Sequence, residues 1–383
     1  MLSIRAKTAP ISPIRVLMPL VLDAEAKGTE VLKLNIGQPD TESPKSYFKA
    51  LKDFDQKVVG YEPAYGNLDL RKSWCSFFDK NYSKKIEPAN MLITSGASEA
   101  LLLAIACVTD PGDEILVFEP AYANYLGLAG MLGVKVKGIR TYSYEGYQIQ
   151  DDFELPDSIK AIIICNPNNP TGTLFSDSKL EILLTKARRK GIWVISDESY
   201  RELRFDDATP TTLLSENVIV VDSISKRYGL CGSRVGCLIS QSDELIRTAV
   251  AFASQRLAVS TLEQFAAKNV IENSSLEDIK KSASIFKNRM EAFFEKLKLP
   301  FVRANGAFYA MLQIDGGATE FAKYLLTEVT GTTVCITPAG GFYLNPQHGE
   351  NEARVAFVLE EQKMKKAAQI INQSYEKFTS RKA

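Results

Sequence analysis

The protein has 383 residues, 45% of them hydrophobic and 24% charged, and the length suits two or three domains with large cores. Its 46 basic and 46 acidic residues balance, so no charge surplus indicates binding to nucleic acid or to an anionic membrane. No apolar run approaches the roughly 20 residues of a membrane helix, and Pro19 interrupts the apolar stretch near the N-terminus, which makes a poor secretory signal.

The single histidine and the spacing of the cysteines limit which kinds of catalytic site the chain can form. The single histidine, His348, lies in a polar stretch that predicts a surface turn. The chain therefore has no multi-histidine zinc site, and a Ser-His-Asp triad would have to use this residue. The six cysteines show no CxxC spacing, which indicates free thiols in a reducing, cytoplasmic compartment. We expect an enzyme without a metal whose proton carrier is not histidine.

The predicted elements begin with a helix from Ser12 to Gly28, with Ser12 as its cap and Pro13 in its first turn. From residue 91 onward, short β-branched runs alternate with helical stretches. Seven strands are predicted, at residues 91–94, 114–118, 134–138, 161–165, 192–196, 218–222 and 235–240. Several of these runs are apolar without alternation, which favours a mainly parallel sheet buried on both faces under helices.

After residue 261 the pattern changes. A capping-box signature at residues 274–278 opens a long helix. Strand-like segments at 307–312, 334–337 and 353–359, a helix from about Thr319 and a terminal helix follow. We therefore predict an α/β fold with a large domain at 45–270, which holds the seven-stranded sheet, and a smaller α+β domain formed by 1–44 with 271–383.

Lys226 is the most informative single residue. It comes just after the predicted strand 218–222, at the edge where open α/β sheets bind ligands, and this position suits a lysine that forms a Schiff base. Ser223 and Arg234 flank it with a hydroxyl and a guanidinium that suit a phosphate. Alone, a lysine at a strand end is most often a solvated surface residue.

Three further segments carry candidate groups. Asp197 ends an apolar strand, where its carboxylate needs a cationic partner such as a pyridinium nitrogen, although a helix N-cap is the ordinary alternative. Tyr200 and Asn169, the latter in a rigid turn of Pro, Asn and Gly, are placed to contact a ring substituent. The small-residue turn at 94–101 opens a helix whose backbone amides form a phosphate site.

Taken together, these segments resemble one family. In order, the chain has the small-residue turn, Asn-Pro-x-Asn-Pro-Thr-Gly at 166–172, Asp-x-x-Tyr at 197–200 and Ser-x-Ser-Lys at 223–226, with an arginine eight residues after the lysine. This order is similar to that of the class I/II aminotransferases of pyridoxal-phosphate (PLP) fold type I, in particular aspartate-aminotransferase-like members. The resemblance runs from residues 35–40 to residues 353–357.

The resemblance implies PLP as the cofactor, held by Lys226 as a Schiff base, and it implies that Lys226 shuttles the α-proton of the substrate. Asp197 would pair with the pyridinium nitrogen, while Asn169 and Tyr200 would bond the phenolate oxygen. The remaining implied contacts are ring stacking by Tyr122 and phosphate binding by Ala97, Ser98, Ser223, Arg234 and Tyr61. Tyr61 would act from a neighbouring subunit, which implies a homodimer with shared active sites.

For the substrate, the resemblance implies that Arg354 clamps the α-carboxylate, helped by the backbone at Gly37. Arg256 stands where some aspartate-type members place an arginine for a distal carboxylate, also across the dimer, but it could instead form an interface salt bridge. Ser98 stands where certain bacterial members carry a lysine for that purpose. This departure leaves aspartate specificity open.

We predict an aminotransferase that moves an amino group from an L-amino acid, with aspartate as a candidate, to a 2-oxoacid such as 2-oxoglutarate. A β-lyase on the same scaffold is the alternative, and it would release pyruvate and ammonia without an acceptor. A third hypothesis is a ligand-sensing PLP domain fused to a DNA-binding segment. We expect no such segment, because the charge is neutral and the predicted first helix begins near the start of the sequence.

Overall fold

A computed structural model of the protein describes residues 2–7, 12–206 and 208–381. The described strands are β1 (Glu30–Lys33), β2 (Met91–Thr94), β3 (Glu114–Glu119), β4 (Lys135–Arg140), β5 (Ile159–Cys165), β6 (Trp193–Asp197), β7 (Val218–Ser223), β8 (Gly236–Ser240), β9 (Phe301–Val302), β10 (Tyr309–Gln313), β11 (Thr332–Cys335), β12 (Thr337–Pro338) and β13 (Glu352–Ala356). The described helices are α1 (Ile4–Lys7), α2 (Met18–Ala26), α3 (Lys45–Lys52), α4 (Leu68–Tyr82), α5 (Gly96–Val108), α6 (Asn124–Leu132), α7 (Asp177–Arg189), α8 (Ile224–Arg227), α9 (Asp243–Ala253), α10 (Thr261–Glu272), α11 (Leu276–Lys296), α12 (Ala318–Thr327) and α13 (Glu361–Ser380).

The largest sheet has seven strands in the order β2-β8-β7-β6-β5-β3-β4. From β7 to β4 all neighbours pair in parallel, whereas β8 runs antiparallel between β2 and β7. Each predicted strand is present with its ends shifted by at most two residues. The prediction of a mainly parallel seven-stranded sheet is confirmed.

Both faces of this sheet are buried. Along β7, Val218 and Val220 belong to one hydrophobic cluster, and Ile219 and Val221 belong to another. Helices α5 and α9 contribute to the second cluster, and α4, α7 and α10 contribute to the first. Burying one such side chain stabilises the fold by about 1.5–3 kcal/mol. Because both faces of the sheet are buried, the sequences of these strands are unbroken apolar runs.

The remaining strands form two small sheets. Strand β1 pairs in parallel with β11, and β12, β13, β10 and β9 form an antiparallel sheet. All of these strands lie outside residues 45–270, whereas the seven-stranded sheet lies inside that range. The exact domain boundaries stay a prediction. Residues 1, 8–11 and 382–383 of the predicted small domain, and residue 207 of the predicted large domain, lie outside the described residues.

Of two predicted helix caps, one is confirmed and the other is wrong. Ser275 caps α11 through a capping box with Asp278, as predicted. The predicted cap at Ser12 is wrong, because α2 begins at Met18 and residues 13–17 form a turn. Pro19 explains this start, because a proline has no N–H and is tolerated in the first turn of a helix but not in its interior. A Cβ added at Gly341 would lie 2.5 Å from Pro13, so the proline packs tightly against that glycine.

Two strand predictions also need correction. The single segment expected at 334–337 is two strands, β11 and β12, because Thr332–Cys335 pairs with β1 whereas Thr337–Pro338 pairs with β13. The segment expected at 353–359 is the shorter β13, Glu352–Ala356, which ends where its pairing with β10 ends. The chain thus leaves the two-stranded sheet after Cys335 and enters the antiparallel sheet at Thr337.

Candidate active site

A cavity of about 470 Å³ lies where β5, β6 and β7 end and α5 begins. Its volume falls in the range of about 300–1,000 Å³ that is usual for small-molecule sites. The cavity is lined by most of the residues that the sequence singled out, namely Gly37, Ala97, Ser98, Tyr122, Asn169, Asp197, Tyr200, Ser223, Lys226 and Arg234. The fold therefore brings distant segments of the chain together at one edge of the sheet.

Asp197 is buried at the end of β6. Its Oδ2 accepts a hydrogen bond from the Tyr125 hydroxyl (2.8 Å), and its Oδ1 accepts from the Ser199 amide (3.2 Å) and hydroxyl (2.6 Å). Burial raises the pKa of Asp197, while these hydrogen bonds act in the opposite direction. No helix follows this residue, so the N-cap alternative is wrong. Within the described chain no cation pairs with its carboxyl group, which leaves room for a cationic ligand group.

Lys226 lies in α8, directly after β7. Its Nζ donates a hydrogen bond of 2.8 Å to the carbonyl oxygen of Gly37. A side chain at Gly37 would clash with Tyr309, whose hydroxyl oxygen would lie 1.8 Å from an added Cβ. Ser223 caps α8, because its hydroxyl accepts from the Ser225 amide at 3.1 Å. The lysine is thus held by the turn that follows its strand and by the N-terminal part of the chain.

The guanidinium of Arg234 lies beside the start of α5. Ala97 and Ser98 lie in the first turn of α5, where backbone amides have no partner inside the helix, and Ser95 provides no side-chain cap. A Cβ added at Gly96 would lie 2.6 Å from Nη2 of Arg234, so the guanidinium lies directly against this turn. Amides and a guanidinium at one point suit a phosphate.

Arg354 is fully buried in β13 and does not itself line the cavity, but it contacts Asn169 and Tyr309, which do. Its guanidinium donates to the side-chain oxygen of Asn169 (3.0 Å) and to the backbone oxygen of Asn35 (2.6 Å), and lies 4.5 Å from the ring centre of Tyr309. The Tyr200 hydroxyl lies 3.4 Å from Asn169 and 3.0 Å from the Tyr309 hydroxyl. Burial lowers the pKa of Arg354, and its Nε has no hydrogen-bond partner in the described part of the chain.

The lining of the cavity does not include three of the predicted site residues, Arg354, Tyr61 and Arg256. Tyr61 is 85% exposed. Arg256 binds Glu99 through an ion pair of 2.7 Å and donates to the backbone oxygen of Ile93 at 2.8 Å. The roles expected of Tyr61 and Arg256 require a second subunit and stay predictions.

Several lining residues were missed from the sequence. Ser225 belongs to the Ser-x-Ser-Lys motif and could have been found from it. Tyr309 lies in a predicted strand without any distinguishing pattern, and Arg15 was assigned to a helix. Tyr309 and Arg15 come from elements outside the large sheet, so no local signal connects them with the site.

Among residues 2–7, 12–206 and 208–381, no group of three or more His, Cys, Asp or Glu side chains is placed to hold a metal ion. In the same residues, no helix has the length and apolar character needed to cross a membrane. All six cysteines are free thiols, as expected.

Comparison with known proteins gives consistent matches. The family model described as aminotransferase class I and II matches residues 29–371. The aspartate aminotransferase of Thermotoga maritima is 31% identical over 350 residues, which cover 87% of this chain and 90% of that protein. A probable N-acetyl-LL-diaminopimelate aminotransferase of Bacillus subtilis is 28% identical and covers 93% of this chain and 91% of its own length.

A solved structure, the alanine aminotransferase of Pyrococcus furiosus, superposes with a TM-score of 0.89 at 28% identity over 100% of both chains. The predicted α/β fold of PLP fold type I is confirmed. These matches support the transaminase hypothesis and give no support to the β-lyase alternative. The protein is an aminotransferase and belongs to the family of class I and II aminotransferases.

Proposed function

We propose that the enzyme holds PLP at Lys226 and transfers an amino group from an L-amino acid to a 2-oxoacid such as 2-oxoglutarate. One observation carries this proposal. Asp197 and Arg354 are buried groups of opposite charge, and neither has an ionic partner among the described residues. Because an unpaired buried charge is costly, both positions suit charged groups of a ligand. A pyridinium nitrogen fits Asp197, and an α-carboxylate fits Arg354.

The other lining residues fit the remaining groups of the cofactor. The amides of Ala97 and Ser98, the Ser223 hydroxyl and Arg234 would hold its phosphate. Asn169 and Tyr200 would bond its phenolate oxygen, and Tyr122 would stack on its ring. Bound in this way, PLP supplies an electron sink for the α-carbon of the substrate.

The residues of the chain then account for binding and proton transfer. Arg354 orients the substrate by its α-carboxylate, for which a guanidinium is suited to bidentate binding. Lys226, oriented by the carbonyl of Gly37 at 2.8 Å, takes up and returns the α-proton. Burial raises the pKa of Tyr200 well above its usual value, so its hydroxyl stays protonated and can donate a hydrogen bond at neutral pH. This assignment explains acid–base catalysis in a cavity without a lining histidine.

A homodimer with shared active sites is part of the proposal. Tyr61 would reach the phosphate of the neighbouring subunit, which accords with its 85% exposure. Val58 and Val59 beside it are also exposed, at 76% and 57%, and an exposed apolar stretch favours an interface. The free thiols support a reducing, cytoplasmic location.

The amino donor is best tested directly. Relatives are named for aspartate, alanine and N-acetyl-LL-diaminopimelate, so the family alone leaves the donor open. A panel of L-amino acids incubated with the holoenzyme and 2-oxoglutarate should yield glutamate and the matching 2-oxoacid, with aspartate among the active donors. Release of pyruvate and ammonia without any acceptor would instead support a β-lyase.

A further inference from the structure

We infer that Arg15 binds the distal carboxylate of a dicarboxylic substrate within its own subunit, an inference that rests on the proposed function. The cations that line the described cavity are Arg15, Lys226 and Arg234. Lys226 is bound to the Gly37 carbonyl, and Arg234 lies against the start of α5. Of these three lining cations, Arg15 is the one with no proposed role in binding the cofactor or the α-carboxylate of the substrate.

The guanidinium of Arg15 is free to take a ligand. No hydrogen bond or ion pair joins its side chain to any residue in the described parts of the chain. A guanidinium presents a planar set of donors that matches the two oxygens of a carboxylate. Its place on the cavity wall therefore suits a second carboxylate at the far end of a substrate.

The backbone that carries Arg15 is held in place although its side chain is exposed. Pro13 packs against Gly341, where an added Cβ would lie 2.5 Å from the proline. The carbonyl oxygen of Ile14 accepts a hydrogen bond of 2.9 Å from the side-chain amide of Asn35, and the Ile14 side chain packs against a small buried apolar cluster. Arg15 is thus presented from a fixed turn rather than from a loose terminus.

The same asparagine also binds Arg354. The backbone oxygen of Asn35 accepts from the Arg354 guanidinium at 2.6 Å, while its side chain holds the carbonyl of Ile14. Asn35 is buried, so both contacts are shielded from water. One residue therefore positions the proposed α-carboxylate site and the turn that carries Arg15.

The two alternative positions are less suited in this chain. Arg256 is already paired with Glu99 at 2.7 Å, and moving it to a substrate would leave that carboxylate without its partner. Ser98 is neutral and can offer only a hydroxyl. Arg15 can bind the second carboxylate of the substrate without giving up an existing ion pair.

The first test follows half-reactions of the holoenzyme with L-aspartate, L-glutamate and L-alanine. Arg15→Gln should lower kcat/KM for the two dicarboxylic donors by at least about tenfold, mainly through KM, and leave alanine nearly unchanged. Arg15→Lys should keep part of the preference because it keeps the charge. Arg188→Gln is the matched control, since Arg188 is exposed at the end of α7 and does not line the cavity.

The second test measures binding of succinate and propionate to the purified holoenzymes by calorimetry. Succinate has neither an amino nor an oxo group, so its binding reports carboxylate recognition without turnover. The wild type should prefer succinate, and Arg15→Gln should remove that preference. Arg15 is the wrong assignment if the wild type has no preference, if Arg15→Gln keeps it, or if Arg256→Leu alone removes it. An enzyme that transaminates no donor refutes the proposed function, and succinate binding still decides the role of Arg15.

Discussion

The guanidinium of Arg354 donates a hydrogen bond of 3.0 Å to the side-chain oxygen of Asn169, although the two residues lie 185 positions apart. Arg354 belongs to the small antiparallel sheet, and Asn169 belongs to the turn after β5 of the large sheet. The contact joins the proposed α-carboxylate site to the proposed phenolate contact. Under the proposed function, one pair of contacting side chains would therefore position both the substrate and the cofactor.

This contact leads to a prediction for Arg354→Leu. The variant should weaken all amino donors alike, with kcat/KM lower by about tenfold or more for both aspartate and alanine, because every substrate carries an α-carboxylate. Half-reactions with single donors are the measurement, and Arg354→Lys tests whether charge alone suffices. A loss confined to dicarboxylic donors would show that Arg354 binds the distal group instead.

Asp197→Asn should keep the fold and bind PLP but lose much of its rate. The amide can still contact the ring, but it carries no charge to stabilise a protonated nitrogen, and electrostatic contributions of this kind are worth about a hundredfold to a thousandfold in kcat. Single-turnover kinetics and cofactor absorbance separate chemistry from binding. Unchanged kinetics would mean that the carboxylate serves only to hold Tyr125 and Ser199.

Tyr61→Phe should raise the dissociation constant of PLP by about tenfold, because a hydrogen bond to a charged phosphate is lost. Tyr144→Phe is the matched control, since Tyr144 is 79% exposed and does not line the cavity. The oligomeric state is measured in parallel by light scattering. An active monomer, or equal effects of the two substitutions, would exclude a shared site.

The residue after the proposed catalytic lysine belongs to a buried ion network. Arg227 donates to Asp222 at 2.6 Å and to Glu202 at 2.5 Å. Arg227→Met should lower the free energy of unfolding by about 3–5 kcal/mol, since both carboxylates stay buried. Arg204→Met, which removes a more exposed pair with Asp206, should cost at most about 1 kcal/mol. Urea denaturation measures both, and equal losses would contradict the account.

The same network predicts a pH dependence of stability. Burial alone would raise the pKa of Asp222, but Arg201 and Arg227 outweigh it and hold that pKa below its usual value. A carboxyl group with a lowered pKa in the folded state stabilises the protein above its unfolded pKa. That stabilisation should be lost as the pH falls through the folded value. Urea denaturation of the wild type between neutral and acid pH should show a larger decline than Asp222→Asn shows.

The strands of the large sheet could be predicted because burial on both faces leaves continuous apolar runs, as in β5 and β7. The later start of the helix expected from Ser12 could have been predicted, since Pro19 fits only the first turn of a helix. In the site, distance along the chain limits what the sequence can show. Lys226 and Asp197 follow strands and could be recognised, whereas Tyr309 comes from another sheet.

The proposed link between Lys226 and the cofactor is tested most directly by borohydride reduction followed by peptide mapping. Reduction of the holoenzyme should fix PLP covalently to the peptide that contains Lys226. Lys226→Ala should lose both the reducible link and steady transamination. A label on another lysine, or turnover of Lys226→Ala at near the wild-type rate, would contradict the account.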